Sequence, residues 1–233
     1  MALICLQAGH QGVTSGATGA PGEQELTVRI RNRLSIILQS KGFQVQLVNA
    51  NPPQAEINKD FSLFIALHGD ADYAGDNGSG FVDYPDPDLD GNNAESKRIK
   101  EAIESQYFSN SGITNKSRSN ANTKRYYMWA RLTAKTPCVI LEMGQVQDAH
   151  DRVILADTDR VANAIARGIC KAFNVPFDPP TPPVPPVDPC ITQNRQIVDY
   201  KSQIVVLNER IINLTDTVRS LMDKISKAKE NLS

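Results

Sequence analysis

Ser62-Leu63-Phe64-Ile65-Ala66-Leu67-His68-Gly69-Asp70 is the stretch on which the fold turns. Leu63 to Leu67 are continuously apolar, and polar or glycine residues bound the run. It is too short for a core helix and suits a strand buried on both faces. Two other runs share this character. The first covers 3–7 and leads into Ala8-Gly9-His10-Gln11-Gly12; the other is Val139-Ile140-Leu141, followed by Glu142-Met143-Gly144. Helical patterns lie between them. Over 23–40, Leu26, Ile30, Leu34, Ile37 and Leu38 form one apolar face, and Lys41-Gly42 closes the helix. Residues 43–47 alternate as a strand, and 80–84 form a further one. Helices are expected over 94–108 and 157–173, and polar loops over 70–80 and 84–93. This rhythm predicts an α/β fold: a single domain with a mixed, mostly parallel central sheet, flanked by helices on both faces.

Composition changes sharply after this domain. Of 14 prolines, six fall between Pro179 and Pro186, with Pro176 and Pro189 just outside. Proline lacks a backbone N–H and fixes φ, so this stretch reads as an extended spacer. Beyond it, Ile197, Ile204, Ile211, Val218, Ile225 and Leu232 recur every seven residues, and Tyr200, Leu207, Leu214, Leu221 and Ala228 fill the second seam. That is a coiled-coil pattern, and it points to a homo-oligomer rather than to a helix folded back on the first domain. The expected organisation is a folded α/β domain at 1–175, a Pro-rich linker at 176–189 and a coiled-coil oligomerisation helix at 190–233.

The charge balance narrows the function. Lys plus Arg number 25 and Asp plus Glu 26, which argues against a nucleic-acid binder that relies on a large basic surface. No window of the sequence is apolar enough to span a membrane, so no membrane insertion is expected. The start, Met1-Ala2-Leu3-Ile4-Cys5-Leu6, lacks the basic and long apolar regions of a signal peptide, so cytoplasmic synthesis is expected. The four cysteines, Cys5, Cys138, Cys170 and Cys190, form no CxxC pair and read as free thiols. An interchain disulfide at Cys190 is not expected in a reducing cytoplasm.

Chemistry gathers at the strand ends. His10 and His68 each follow a buried strand, and α/β sheets bind ligands outside the carboxyl ends of their strands. Two neutral imidazoles there suit a Zn²⁺ ion, and the flanking glycines leave room for a substrate. Glu23, in Gly22-Glu23-Gln24-Glu25, opens the first helix; it is either a third ligand or an ordinary carboxylate favoured by the helix dipole. Glu142 directly follows a buried strand, where a lone carboxylate is costly. It is a candidate general base, with an exposed strand-end acid as the alternative.

Several short motifs together resemble one family. Ala8-Gly9-His10-Gln11-Gly12, Gly16-Ala17-Thr18-Gly19, Gly22-Glu23-Gln24-Glu25-Leu26, Leu63-Phe64-Ile65-Ala66-Leu67-His68 and Thr136-Pro137-Cys138-Val139-Ile140-Leu141-Glu142-Met143-Gly144 resemble the zinc-dependent N-acetylmuramoyl-L-alanine amidases of the type-3 family. The likeness covers about residues 1 to 175. It implies one catalytic Zn²⁺ held by His10, Glu23 and His68, with Glu142 as the catalytic carboxylate. Glu23 takes the ligand place ahead of Glu25 because Leu26, Val28 and Ile30 follow it in the family's phase. The implied reaction is hydrolysis of the amide between N-acetylmuramic acid and L-alanine in peptidoglycan, by a zinc-activated water. The family's usual Asn two residues after the second histidine is Asp70 here, and its usual Phe after Glu142-Met143-Gly144 is Gln145. His150 reads as an exposed loop residue. Lys124 and Arg125 read as surface charge, with contact to peptide-stem carboxylates as the alternative. The absent signal peptide suits a phage endolysin. The competing function is a non-enzymatic wall-binding or virion structural protein whose coiled coil is the working part.

Overall fold

Five strands form one sheet: β1 (Leu3–Ala8), β2 (Gln44–Val48), β3 (Leu63–Asp70), β4 (Phe81–Asp83) and β5 (Cys138–Gln145). Their spatial order is β2-β1-β3-β5-β4. β1 pairs in parallel with β2 and β3, β3 pairs in parallel with β5, and only β4 runs antiparallel, on the outer edge of β5. The sheet is thus mixed and mostly parallel, as expected. The structure is a computed structural model. It describes residues 1–177, apart from 15–18, 72–78, 87, 89–92 and 117–120. The expected Pro-rich linker, beyond its first two residues, and the expected coiled-coil helix lie outside the described residues, as does most of the polar loop at 70–80. By internal contacts the chain divides into Met1–Asp178 and Pro179–Ser233, and the described residues belong to the first unit.

The helices are α1 (Glu23–Ser40), α2 (Gln54–Ile57), α3 (Asn93–Ser111), α4 (Ala121–Lys124), α5 (Ala149–Ala156) and α6 (Thr158–Ala172), with a 3₁₀ turn at Trp129–Arg131. Strand alternation divides the core between them. Ile4 and Leu6 of β1, Leu63, Ile65 and Leu67 of β3, and Val139, Leu141 and Met143 of β5 point to one face. There they meet the apolar stripes of α1, α3, α5 and α6, among them Ile30, Leu34, Ile103 and Ile165. The approach of α3 to α6 requires a glycine: a Cβ on Gly168 would lie 2.6 Å from the Ile103 Cα.

The opposite face carries Cys5, Phe64, Ala66, Cys138 and Ile140. Its cover is slight. Ile57 of α2, Met128 and Trp129 pack there, from elements of three or four residues or from loop. Helices therefore flank both faces, as expected, but unequally. Pro52, Pro53 and Pro137 interrupt the segments that cross the second face, and a proline cannot continue a helix interior. The thin cover leaves space above the carboxyl ends of β1 and β3.

Asp148 and Asp157 start α5 and α6 by accepting backbone N–H groups: His150 and Asp151 for the first, Arg160 for the second. Cys5, Cys138 and Cys170 are buried and unbridged. Burial pushes the Cys5 thiol up to about 12, so it stays protonated and inert at neutral pH. Among the described residues, no helix is long and apolar enough to cross a membrane.

Candidate metal centre

The strand order reverses between β1 and β3: after β1 the chain steps outward to β2, then returns to the other side for β3. Such a switch point opens a crevice beyond the strand ends. His10 lies just past β1 and His68 within the last turn of residues of β3, so both reach that crevice. His10 adopts φ 57°, a left-handed backbone that few non-glycine residues take up. Strain of this kind clusters at functional sites.

Glu23 joins them as the first residue of α1, and it is buried. Its Oε1 lies 3.2 Å from His68 Nδ1 and 3.5 Å from His10 Nε2. The two imidazole rings meet edge to face with centroids 4.9 Å apart. The three side chains each offer one donor atom, all within 4.8 Å of one another. Backbone N–H groups hold the carboxylate from both sides: Ala20 N donates to Oε2 at 2.9 Å and Gly69 N to Oε1 at 3.1 Å. Burial by itself would raise the Glu23 carboxyl. The His68 hydrogen bond, the charges of His68 and His10 and the Ala20 amide outweigh it, and the group stays below the usual carboxylate range. Burial lowers His68, so its neutral, ligating form is favoured.

Two glycines give the donors their space. A Cβ on Gly9 would stand 2.6 Å from His68 Cε1, and one on Gly19 would stand 2.6 Å from Glu23 Oε2 and 2.8 Å from His10 Cγ. Two imidazoles and one carboxylate, packed this closely, fit a borderline-soft divalent ion such as Zn²⁺.

Glu142 stands on β5 in register with His68 on β3. Along β5 it shares parity with Cys138 and Ile140, so it projects from the thinly covered face, as His68 does from β3. It is only half-buried, unlike every other residue of β5. A cavity of ≈ 370 Å³ opens at the two histidines, lined by His10, Val13, Ala50, Asn51, His68, Tyr126 and Tyr127.

The remaining sequence candidates fall elsewhere. His150 is exposed on the first turn of α5, not on a loop; with Asp148 and Asp151 it forms a second cluster of potential ligands, but those carboxylates already accept backbone N–H groups. Lys124 pairs with Asp83 at 3.0 Å and lies 3.7 Å above the Tyr84 ring. Arg125 faces Asp86 at 3.8 Å. Both cations thus have intramolecular partners. Two residues at the site carried no sequence signal strong enough to single them out. Tyr126 Oη lies 3.1 Å from His68 Nε2, and it donates to Gln7 Oε1 at 3.0 Å. Gln7 was readable in principle, as a polar residue inside a buried strand.

No curated protein matches the chain. The catalytic domain of CwlV, an N-acetylmuramoyl-L-alanine amidase from Bacillus (Paenibacillus) polymyxa var. colistinus, superposes with TM-score 0.58 at 20% identity, over 76% of this chain and 100% of that one. The amidase AmiC2 of Nostoc punctiforme gives 0.58 at 23%, over 74% and 97%. An endolysin catalytic domain targeting Clostridia difficile gives 0.59 at 18%, over 72% and 97%. At such identities these likenesses speak for the fold. The sequence pattern of the family described as N-acetylmuramoyl-L-alanine amidase matches residues 4–172, most of the chain. The chain therefore belongs to the N-acetylmuramoyl-L-alanine amidase family.

Proposed function

We propose that the protein is a zinc-dependent peptidoglycan amidase that hydrolyses the bond between N-acetylmuramic acid and the L-alanine of the stem peptide. The observation that carries this reading is the convergence of His10, Glu23 and His68 at the switch point of the sheet, in a chain of this family. These three residues would hold the ion. Three protein ligands are the pattern of a catalytic zinc rather than a structural one. A bound zinc ion would supply a Lewis acid that polarises the scissile carbonyl and acidifies water.

The chain's own groups do the rest. Glu142, on the open face beside His68, accepts a proton from water as it attacks the lactyl carbonyl. It then passes that proton to the leaving nitrogen of alanine. The thin cover of this face admits a glycan strand that a second helical layer would block. Removing the metal with a chelator should bring the clearing of a bacterial cell-wall suspension to background, and added Zn²⁺ should restore it. Clearing at the full rate in chelator would refute the zinc reading.

We also propose that the chain acts as an endolysin, with residues 176–189 as a spacer and 190–233 as an oligomerising helix. The heptad pattern supports self-association, which would raise avidity for an insoluble polymer. Sedimentation of the full chain should give a multiple of the 25.6 kDa protomer, and a chain cut at Pro180 should sediment as a monomer. Two monomers would overturn this part.

A further inference from the structure

Gln7, Tyr126 and His68 form a relay whose hydrogen-bond directions are all determined. The Gln7 amide is oriented by its neighbours: its Nε2 donates to Ala50 O at 2.9 Å and lies 3.4 Å from Asn49 O. Turning the amide over would set its oxygen against two carbonyl oxygens, so Oε1 must face Tyr126. An amide oxygen only accepts. The Tyr126 hydroxyl must therefore give its one proton to Gln7 Oε1, at 3.0 Å. Its oxygen is then left to accept, and the atom facing it is His68 Nε2 at 3.1 Å. His68 Nε2 must carry a hydrogen.

From this we infer that Tyr126, held by Gln7, is a positioning residue that commits the His68 Nδ1 lone pair to the Glu23 side of the site. The inference rests on the zinc reading above and deepens it. Nδ1 lies 3.2 Å from Glu23 Oε1; a protonated ring donates to that oxygen, whereas the neutral ring with its hydrogen on Nε2 presents a lone pair there, and a bound cation would take the place of the missing hydrogen. The relay is built to last. Gln7 is fully buried, and the Tyr126 ring packs edge to face on His68, Tyr127 and Trp129 with centroids 5.3, 4.7 and 5.2 Å away.

The relay and the ligand set can be tested apart. Histidine nitrogen NMR of the protein, with and without Zn²⁺, should show His68 protonated at Nε2 in both states. In Tyr126→Phe the acceptor for that proton is gone. In Gln7→Met the tyrosine is free to turn its proton onto Nε2, so the metal-free protein should shift toward the Nδ1–H form. Both variants should bind Zn²⁺ about 10- to 100-fold more weakly in competition with a chromophoric chelator, the usual scale for a lost partner behind a metal-bound histidine. A wild-type His68 with Nδ1–H overturns the inference, and this needs no variant to fold. Folded variants that keep both the Nε2 proton and the wild-type affinity overturn it too. A wild-type protein that takes up no zinc, yet carries the Nε2 proton and loses it in Gln7→Met, supports the relay and removes the zinc reading alone.

Discussion

Replacing Glu142 with glutamine is expected to slow cell-wall hydrolysis by about 10²–10⁴-fold, the usual worth of a positioned general acid–base group. The substitution keeps the side chain's length and volume but removes its capacity to accept a proton. Little else should change. Glu142 is half-buried on a strand whose other residues are buried, so an isosteric glutamine leaves the apolar packing of the sheet in place. It is not one of the three donor atoms that converge within 4.8 Å, so zinc content should stay at one ion per chain. The measurement is the initial rate of turbidity loss beside elemental analysis of the same sample. A rate within fivefold of wild type, at equal zinc, would remove Glu142 from the proton-transfer role. Loss of zinc along with the rate would instead make it a ligand.

Replacing Glu23 with glutamine is expected to act on the metal itself, lowering zinc affinity by more than the about 100-fold reached by changes behind the ligands. Two causes add. The amide loses the negative charge that faces both imidazoles at 3.2 and 3.5 Å. It also cannot accept from both backbone donors at once, because one oxygen becomes an NH₂ group. Ala20 N or Gly69 N then meets a donor where it had an acceptor. The crevice should loosen where the β1–α1 loop approaches the end of β3. Chelator competition reads the affinity and thermal melting reads the structural part. Glu25→Gln is the control, since Glu25 is exposed on the outer side of the same helical turn. Equal zinc affinity in Glu23→Gln and wild type would exclude Glu23 as a ligand.

The strands that frame the site were plain in the sequence because both of their faces are buried. Leu63 to Leu67 and Val139 to Leu141 leave no other reading of their length and composition. The first helix was plain for a different reason: its 3.6-residue stripe and its Lys41-Gly42 stop agree, and the observed bounds are Glu23–Ser40. α5 escaped because its eight residues open on Ala149, His150 and Asp151, which look like loop. The side chain of Asp148 converts that opening into a capped helix start. The unequal cover of the two sheet faces was not legible either. It depends on how the irregular segments around Ile57 and Trp129 settle on Phe64 and Ile140, and no periodicity records that.

Within the candidate site, His10 and His68 were legible because each stands between a buried strand and glycines, whereas the start of a helix left Glu23 open to an ordinary carboxylate reading and only the family resemblance singled it out. Tyr126 was not. Its partner Gln7 is 119 residues away, and only the closing of the sheet brings the two together.

The most direct test is to digest purified peptidoglycan with the zinc-loaded protein and identify the new chain ends. L-Alanine should be the new amino terminus, released in step with the loss of turbidity, while the glycan strands gain no reducing ends. New reducing sugar ends without free alanine amino groups would mean that a glycosidic bond is cut, and would contradict an amidase built on His10, Glu23, His68 and Glu142.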